Sequence, residues 1–298
     1  MKILIIGSKG FIGAHTIQYF LDKNDIVFGC DVLVDYNASN YFILDSTNAN
    51  FHEIFESQTF DVCINCSGAS SVPDSFVHPH RDFELNVNNV VKIVDAIRKH
   101  QPTCKLINIS SAAVYGNPIH LPISESVPKS PISPYGSHKL MAENILKEYY
   151  THYQIQSISV RPFSVFGPGL KKQLFWDIYH KMTKQNQIEL FGTGNETRDF
   201  IFIKDVVRTF DFIIQNSLFN AESINIANGE EITIKEAVET FANCMEWKGT
   251  INFNNQQRIG DPLNWKADIS KIQSYGYKPQ YSLLQGLTEY KTWLVEKT

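Results

Sequence analysis

Ile3-Leu4-Ile5-Ile6-Gly7-Ser8-Lys9-Gly10-Phe11-Ile12-Gly13 is the stretch from which the rest of the chain is read. Four apolar residues make a buried strand. A G-x-x-G-x-x-G turn follows, and then Ile17, Phe20 and Leu21 recur at helical spacing. Small residues at such a turn let the backbone approach a pyrophosphate, which then sits on the helix N-terminus. Glycines alone would also fit a β–α turn that holds no ligand, so the context decides. A second strand, Ile26-Val27-Phe28, ends at Asp31, about where an acid meets a ribose in dinucleotide-binding folds. Asp31 can accept from both ribose hydroxyls and would repel a 2′-phosphate. From Asn24 to His80 the sequence contains no Lys or Arg to offset that repulsion. NAD is therefore expected, rather than NADP.

Outward from this stretch the rhythm continues. Val62-Cys63-Ile64 and Leu106-Ile107-Asn108-Ile109 read as further strands, and between them Val87, Val90, Val91, Val94 and Ile97 trace one helical face. Apolar strands alternating with helices predict an α/β fold: a Rossmann-type, doubly wound parallel sheet. After about residue 165 the pattern loosens, punctuated by Gly167-Pro168-Gly169, Gly192-Thr193-Gly194 and Asn228-Gly229, with helical patterns at 205–216, 233–245 and 282–295. Residues 1–165 plus 200–228 are expected to form the NAD-binding domain. Residues 166–199 plus 229–298 are expected to form a smaller substrate lobe.

Composition narrows the function classes. Over 298 residues, 43% apolar and 19% charged usage excludes a disordered or collagen-like chain. A net charge of −4 argues against a nucleic-acid binder, which would carry a basic surplus. No apolar run is long enough to cross a bilayer, and the run ahead of Gly7 is too short for the core of a signal peptide. The five cysteines, Cys30, Cys63, Cys66, Cys104 and Cys244, are few and mostly within apolar runs, as expected of reduced thiols in the cytoplasm. The C-x-x-C spacing of Cys63 and Cys66 begins on a strand, where residues three apart face opposite ways, so it is read as structural. His78 and His80 lack an accompanying ligand set, and no metal is expected.

The chemistry is placed by a second cluster. Ser110-Ser111-Ala112-Ala113-Val114-Tyr115-Gly116 closes a core strand, and Pro134-Tyr135-Gly136-Ser137-His138-Lys139 opens a helix in which Met141, Ile145 and Tyr149 share a face. Tyr135 and Lys139, at i and i+4, lie on one side of that helix. A cation beside a phenol is expected to lower its pKa from ~10 toward that of a useful base. A strand-end serine can bond the same substrate hydroxyl. Together they predict a proton-transfer site at the carboxyl edge of the sheet.

These residues resemble the extended short-chain dehydrogenase/reductases, and more narrowly the nucleotide-sugar epimerases of the UDP-galactose 4-epimerase type. The resemblance extends to Asn86 in Leu85-Asn86-Val87-Asn88, to Arg161-Pro162-Phe163-Ser164-Val165-Phe166-Gly167-Pro168-Gly169, to Thr197-Arg198-Asp199-Phe200, to Asn225-Ile226-Ala227-Asn228-Gly229 and to Arg258-Ile259-Gly260-Asp261. It implies Ser111, Tyr135 and Lys139 as the catalytic set, with Lys139 also on the nicotinamide ribose. It implies cofactor contacts from Gly7, Gly10, Phe11, Ile12, Gly13, Asp31, Cys66, Ser67, Gly68 and Pro162, and adenine contacts from Asp45 and Ser46. For the substrate it implies Asn86, Ser111, Ser164, Arg198, Arg258, Asp261 and Trp265, with the two guanidinium groups clamping a diphosphate. Relatives dimerise through helices corresponding to 81–99 and 135–151, which implies a homodimer.

Within the family the reaction is narrowed by what is missing. Sugar-nucleotide 4,6-dehydratases carry an Asp-Glu pair where this chain has Ala112 and Ala113, and alanine moves no proton. Decarboxylases carry a glutamate in the same segment. C4 epimerisation of a nucleotide-diphosphate sugar, most simply a UDP-hexose, is the expected activity. A 4-keto-6-deoxy nucleotide-sugar reductase is the alternative, disfavoured because Asp31 opposes NADPH. A cofactor-binding regulator without catalysis is a further one, disfavoured because the serine, tyrosine and lysine are all present. Ser164 stands where many relatives have asparagine, and the resemblance implies that Trp265, four beyond Asp261, lines the pocket around the sugar's C2 substituent; the alternative is an indole turned away into the core of the second lobe.

Overall fold

Ile3, Leu4, Ile5 and Ile6 are fully buried, and alternate residues enter different cores. Ile3 and Ile5 join one hydrophobic cluster and Leu4 and Ile6 the other, because successive strand side chains point to opposite faces. A strand covered on both sides belongs in the middle of a parallel sheet.

The computed structural model describes residues 1–296. In the first part of the chain the elements are β1 (Lys2–Ile6), α1 (Phe11–Asp22), β2 (Ile26–Asp31), β3 (Tyr41–Ile43), α2 (His52–Ser57), β4 (Val62–Asn65), α3 (Val72–Val77), α4 (Pro79–Phe83), α5 (Asn89–His100), β5 (Lys105–Ile109), α6 (Pro134–Tyr153) and β6 (Ser157–Pro162). Then come β7 (Ser164–Phe166), α7 (Gln173–Met182), β8 (Gln187–Leu190), β9 (Thr197–Arg198), β10 (Phe200–Phe202), α8 (Ile203–Asn216), β11 (Asn220–Ile226), β12 (Ile232–Thr233), α9 (Ile234–Cys244), β13 (Thr250–Phe253), α10 (Ser270–Ser274) and α11 (Leu283–Glu296).

Seven strands form the main sheet in the order β11-β6-β5-β4-β1-β2-β3, every neighbouring pair parallel. The doubly wound α/β fold expected from the strand–helix alternation is the one observed. The order turns back beside β1, so the glycine turn after β1 opens at the carboxyl edge where such sheets bind ligands. The chain returns to this sheet late, through β11. Beyond it, β8 pairs with β13 and β9 with β12 around an aromatic core that includes Phe166, Phe175, Phe200, Phe241 and Tyr290.

Two buried polar groups tie elements together. Asp199 is fully buried; its carboxylate accepts from the backbone N–H groups of Asn228 (2.8 Å), Gly229 (3.0 Å) and Ala267 (3.0 Å). Beneath the sheet edge, the Arg161 guanidinium on β6 donates to both Glu143 oxygens, at 2.8 and 2.5 Å. It also donates to the Tyr115 hydroxyl at 2.7 Å, which donates in turn to Asn225 Oδ1 at 2.7 Å. Ser110 Oγ donates to Glu143 Oε1 at 2.6 Å.

Met141, Ile145 and Tyr149 share a face of α6 that is not its most buried one: Met141 is exposed, and the buried positions are Gly136, Lys139, Ala142, Glu143 and Leu146. Two charged residues occupy that inner face because each has a partner inside.

Candidate active site

The glycine turn is built for a close approach. Gly7 has φ +77°, and a Cβ there would fall 2.6 Å from the Ser67 nitrogen; a Cβ at Gly13 would fall 2.1 Å from the Gly7 carbonyl oxygen. The turn thus packs against the loop Cys66-Ser67-Gly68 that leaves β4, with Gly10, Phe11 and Ile12 opening α1. At the end of β2, the Asp31 carboxylate accepts from the backbone N–H groups of Lys9 (2.9 Å) and Val32 (2.8 Å). The adjacent strand places Asp45 and Ser46 just beyond β3 at the same edge. Asp45 accepts from the Thr47 N–H at 2.7 Å, and its hydrogen bonds hold its carboxyl below the usual range. The glycine cradle and the acid at the strand end fit a dinucleotide.

One correction concerns charge near Asp31. Although 24–80 supplies no cation, Lys9 from the glycine turn reaches this edge, where its ammonium pairs with Asp35 and lies 5.1 Å from the Tyr41 ring centroid. Proximity in the fold does what proximity in sequence did not. Lys9 is thus tied to Asp35, and NAD is expected to bind far better than NADP. Asp31→Ala should narrow that gap, because the repulsion is removed while Lys9 remains. Kd values for both dinucleotides check this; equal affinity in the wild type would contradict it.

Cys66 follows β4 and stays a neutral thiol, since burial pushes it up to about 12. Cys63 and Cys66 enter different cores, as their strand spacing implies. Among the described residues no cluster of three or more His, Cys, Asp or Glu could hold a metal ion.

Ser111 follows β5 and begins a single 3₁₀ turn, its hydroxyl accepting from the Ala113 N–H at 3.1 Å. Tyr135 is in the first turn of α6, capped by Ser133 and braced by its own N–H on Ser75 Oγ at 3.2 Å. Lys139, one turn on, is only 5% exposed and donates to the Ile109 carbonyl at 2.8 Å, with its ammonium 5.8 Å from the Tyr135 ring centroid. Serine, tyrosine and lysine are therefore brought together at the strand ends.

The expected lowering of the phenol by the lysine is not found in the protein alone. Burial pushes Tyr135 up to about 12, opposed by a hydrogen bond from Ser111. Burial also brings Lys139 down to about 8, so near pH 7 the amine keeps most of its positive charge while the phenol is held neutral.

The substrate-side residues gather at a different wall. Arg198 donates to the carbonyls of Thr197 (2.8 Å) and Leu263 (3.2 Å), and Arg258 lies 5.9 Å from the Phe191 ring. Both guanidinium groups act on Asp261: burial raises its carboxyl and the two arginines oppose that rise. Trp265 is 9% exposed; its Nε1 donates to the Gly116 carbonyl at 3.0 Å and its ring packs edge-on to Phe163 at 5.7 Å. Arg198 lies over the same indole, 5.8 Å from its centroid. Ser164 starts β7 beside Pro162 and donates its N–H to the Asp199 carbonyl. Asn86 stands apart from this group, in a single π-helical turn between α4 and α5, against Gly68 and Lys139.

A glycine cradle with an acid at the next strand end, facing a serine, tyrosine and lysine, defines a dinucleotide-dependent enzyme of the short-chain dehydrogenase/reductase type. The profile of the NAD-dependent epimerase/dehydratase family matches residues 3–227, and the chain belongs to that family. It is 25% identical over 318 residues to a UDP-glucose 4-epimerase of Halalkalibacterium halodurans, covering 97% of this chain and 94% of that one. Among solved structures it resembles a UDP-glucuronic acid 4-epimerase of Bacillus cereus in complex with UDP-glucuronic acid and NAD, with a TM-score of 0.89, 26% identity and 100% of both chains covered. It also resembles a UDP-N-acetylglucosamine 4-epimerase of Methanobrevibacter ruminantium in complex with UDP-N-acetylmuramic acid, with a TM-score of 0.90, 25% identity, and 100% and 99% covered.

Proposed function

We propose that this NAD-dependent enzyme epimerises a nucleotide-diphosphate sugar at C4 through a 4-keto intermediate, a UDP-hexose being the first candidate. The observation that carries the reading is the convergence of Ser111, Tyr135 and Lys139 at the edge where the glycine turn opens, with alanines at 112 and 113. Ala112 is fully buried and neither methyl can transfer a proton, so the chain has no group there for elimination.

Bound NAD supplies the acceptor, and then the donor, of the hydride at C4. As the phenolate, which the Lys139 ammonium and the positive charge of a bound nicotinamide would favour, Tyr135 takes the O4 proton and later returns it, and Ser111 hydrogen-bonds the same oxygen. Lys139 holds a ribose hydroxyl and keeps positive charge beside the phenol. Arg198 and Arg258 grip the diphosphate while the planar 4-keto sugar turns its other face. Cofactor contacts come from the glycine turn, Asp31, Asp45, Ser46, Cys66, Ser67, Gly68 and Pro162; Asn86, Ser164, Asp261 and Trp265 complete the sugar site. The cofactor lobe is 1–165 with 200–228, a division supported by the return of β11 to the main sheet, and the sugar lobe is 166–199 with 229–298. The chain works as a homodimer in the cytoplasm; exposed Phe83, Met141 and Tyr153 on and near α6 support the first, and five free cysteines the second. No helix among the described residues is long and apolar enough to cross a membrane. The test is incubation with a panel of UDP-, dTDP-, GDP- and CDP-sugars, following the C4 epimer by NMR.

Trp265 sets the size limit. Its Nε1–H is fixed on the Gly116 carbonyl and its ring on Phe163, so the indole cannot swing aside without losing both. A packed wall gives little room for a larger C2 group. Plain hexoses or 6-deoxyhexoses should react and N-acetylhexosamines should not. Trp265→Cys should raise kcat/KM for UDP-N-acetylgalactosamine relative to UDP-galactose; a wild type already preferring the N-acetyl sugar would refute the steric account.

A further inference from the structure

Behind the tyrosine and lysine lies a buried polar cluster of which the reaction as described uses only Asn86. Asp82, on α4, is 3% exposed, and its Oδ1 is approached by two groups: Asn86 Nδ2 donates to it at 3.0 Å and His138 Nδ1 lies 2.6 Å away. An ionised carboxylate only accepts, so Asn86 must turn its NH₂ toward Asp82 and its oxygen the other way. That oxygen is buried without a hydrogen-bond partner. It faces Gly68, where a Cβ would fall 2.5 Å from Asn86 Oδ1 and 3.5 Å from Lys139 Nζ. An acceptor and an ammonium therefore converge on one point beside the glycine.

Leaving a buried carbonyl unpaired is costly, so such a group asks for a reason. The π-helical turn at Glu84–Asn88, a local irregularity often found at functional sites, is what aims Asn86 inward. His138 is the residue before Lys139 on α6, and Phe83 packs edge-on against its imidazole at 5.6 Å.

We propose that Asp82 and His138 are positioning residues for the transfer site: together they lock the Asn86 amide with its oxygen toward Lys139, and they brace the turn of α6 that carries Tyr135 and Lys139. The inference rests on Tyr135 and Lys139 being the groups that act on the sugar and cofactor. The carboxylate has a second consequence. Asp82 opposes ionisation of the Tyr135 phenol, after burial, and favours the charged form of Lys139. His138 on α6 contacts the same carboxylate, and Cys66 after β4 and Glu143 on α6 also favour the charged form of Lys139. Ser111 faces the phenol from the opposite side and lowers it.

Three variants test this on the full chain: Asp82→Asn, His138→Leu and His138→Asn, the last keeping a donor near the position of Nδ1. Two quantities are read. The first is kcat on the fastest nucleotide sugar of the panel. The second is the ionisation of Tyr135 itself, from the 295 nm tyrosinate difference between each background and the same background carrying Tyr135→Phe. Asp82→Asn and His138→Leu should each lower kcat on the order of 10-fold, less than the ~10² that a full ångström of misplacement can cost. His138→Asn should recover most of that loss. Asp82→Asn should also move the Tyr135 ionisation to lower pH, because a negative charge that opposed the phenolate is gone.

A purely structural pair would lower the melting temperature while leaving kcat of the folded enzyme unchanged. The proposal is overturned if Asp82→Asn leaves both kcat and the Tyr135 ionisation unchanged, or if His138→Asn is as damaging as His138→Leu. Should Asp82→Asn not fold, the two His138 variants decide. Failure of the underlying site reading looks different: Tyr135→Phe alone would then keep near-full turnover.

Discussion

Tyr135→Phe should reduce turnover by at least ~10², the low end of what a positioned proton-transfer group contributes, while NAD stays bound. The phenol sits in the first turn of α6 with its position set by the Ser133 cap and the bond from its N–H to Ser75, neither of which the substitution disturbs. Only the hydroxyl is lost. The Lys139 ammonium, held on the Ile109 carbonyl, has no lone pair to accept a proton, and the Ser111 hydroxyl is a far weaker base, so neither replaces it. Ser111→Ala should be milder, because serine polarises O4 but does not receive its proton. Steady-state rates together with the dinucleotide released on denaturation check both. Near-full activity in Tyr135→Phe would show that another group moves the proton.

The second large effect is on stability. Glu143→Gln should destabilise the fold by ~3–5 kcal/mol, the cost of leaving one partner of a buried ion pair without its counter-charge. Arg161 and Glu143 are each 1% exposed, joined by two hydrogen bonds, and Arg161 also holds the Tyr115 hydroxyl. Three elements depend on this pair: β6 through Arg161, α6 through Glu143, and the turn after β5 through Ser110 and Tyr115. The loss should appear as a fall in Tm of roughly 10 °C. Replacing both charges by apolar residues of similar volume should recover part of it, since no unpaired charge is then buried. Chemical denaturation measures the difference; a loss under ~1 kcal/mol in Glu143→Gln would mean that water reaches the arginine.

How much of this was legible in the sequence depended on whether a residue announced itself through its neighbours in the chain. The β1–turn–α1 unit did, because strand, glycines and helix are contiguous, and Asp31 did because it ends the next strand. Ser111, Tyr135 and Lys139 could be placed at one edge of the sheet from the positions of their elements. What escaped were features that exist only across the fold. The strand Ser157–Pro162 went unread because Ser157, Ser159 and Arg161 break its apolar pattern, yet all six residues are buried. The inner face of α6 is hidden from hydrophobic periodicity for the same reason, because Lys139 and Glu143 interrupt its apolar stripe. Lys9 and Asp35 are 26 residues apart and meet only once β2 brings the acid beside the glycine turn. Asp82 and His138 are 56 residues apart, and nothing local to either hinted that they touch.

The most direct test of the central claim uses a nucleotide sugar carrying deuterium at C4. Epimerisation through a transient 4-keto sugar removes that deuterium and returns it to the opposite face of the same carbon. The account predicts that the C4 epimer keeps essentially all of its label, without added NADH and without exchange into solvent. Loss of the label from C4, or a requirement for one equivalent of added NADH or NADPH per product formed, would contradict it.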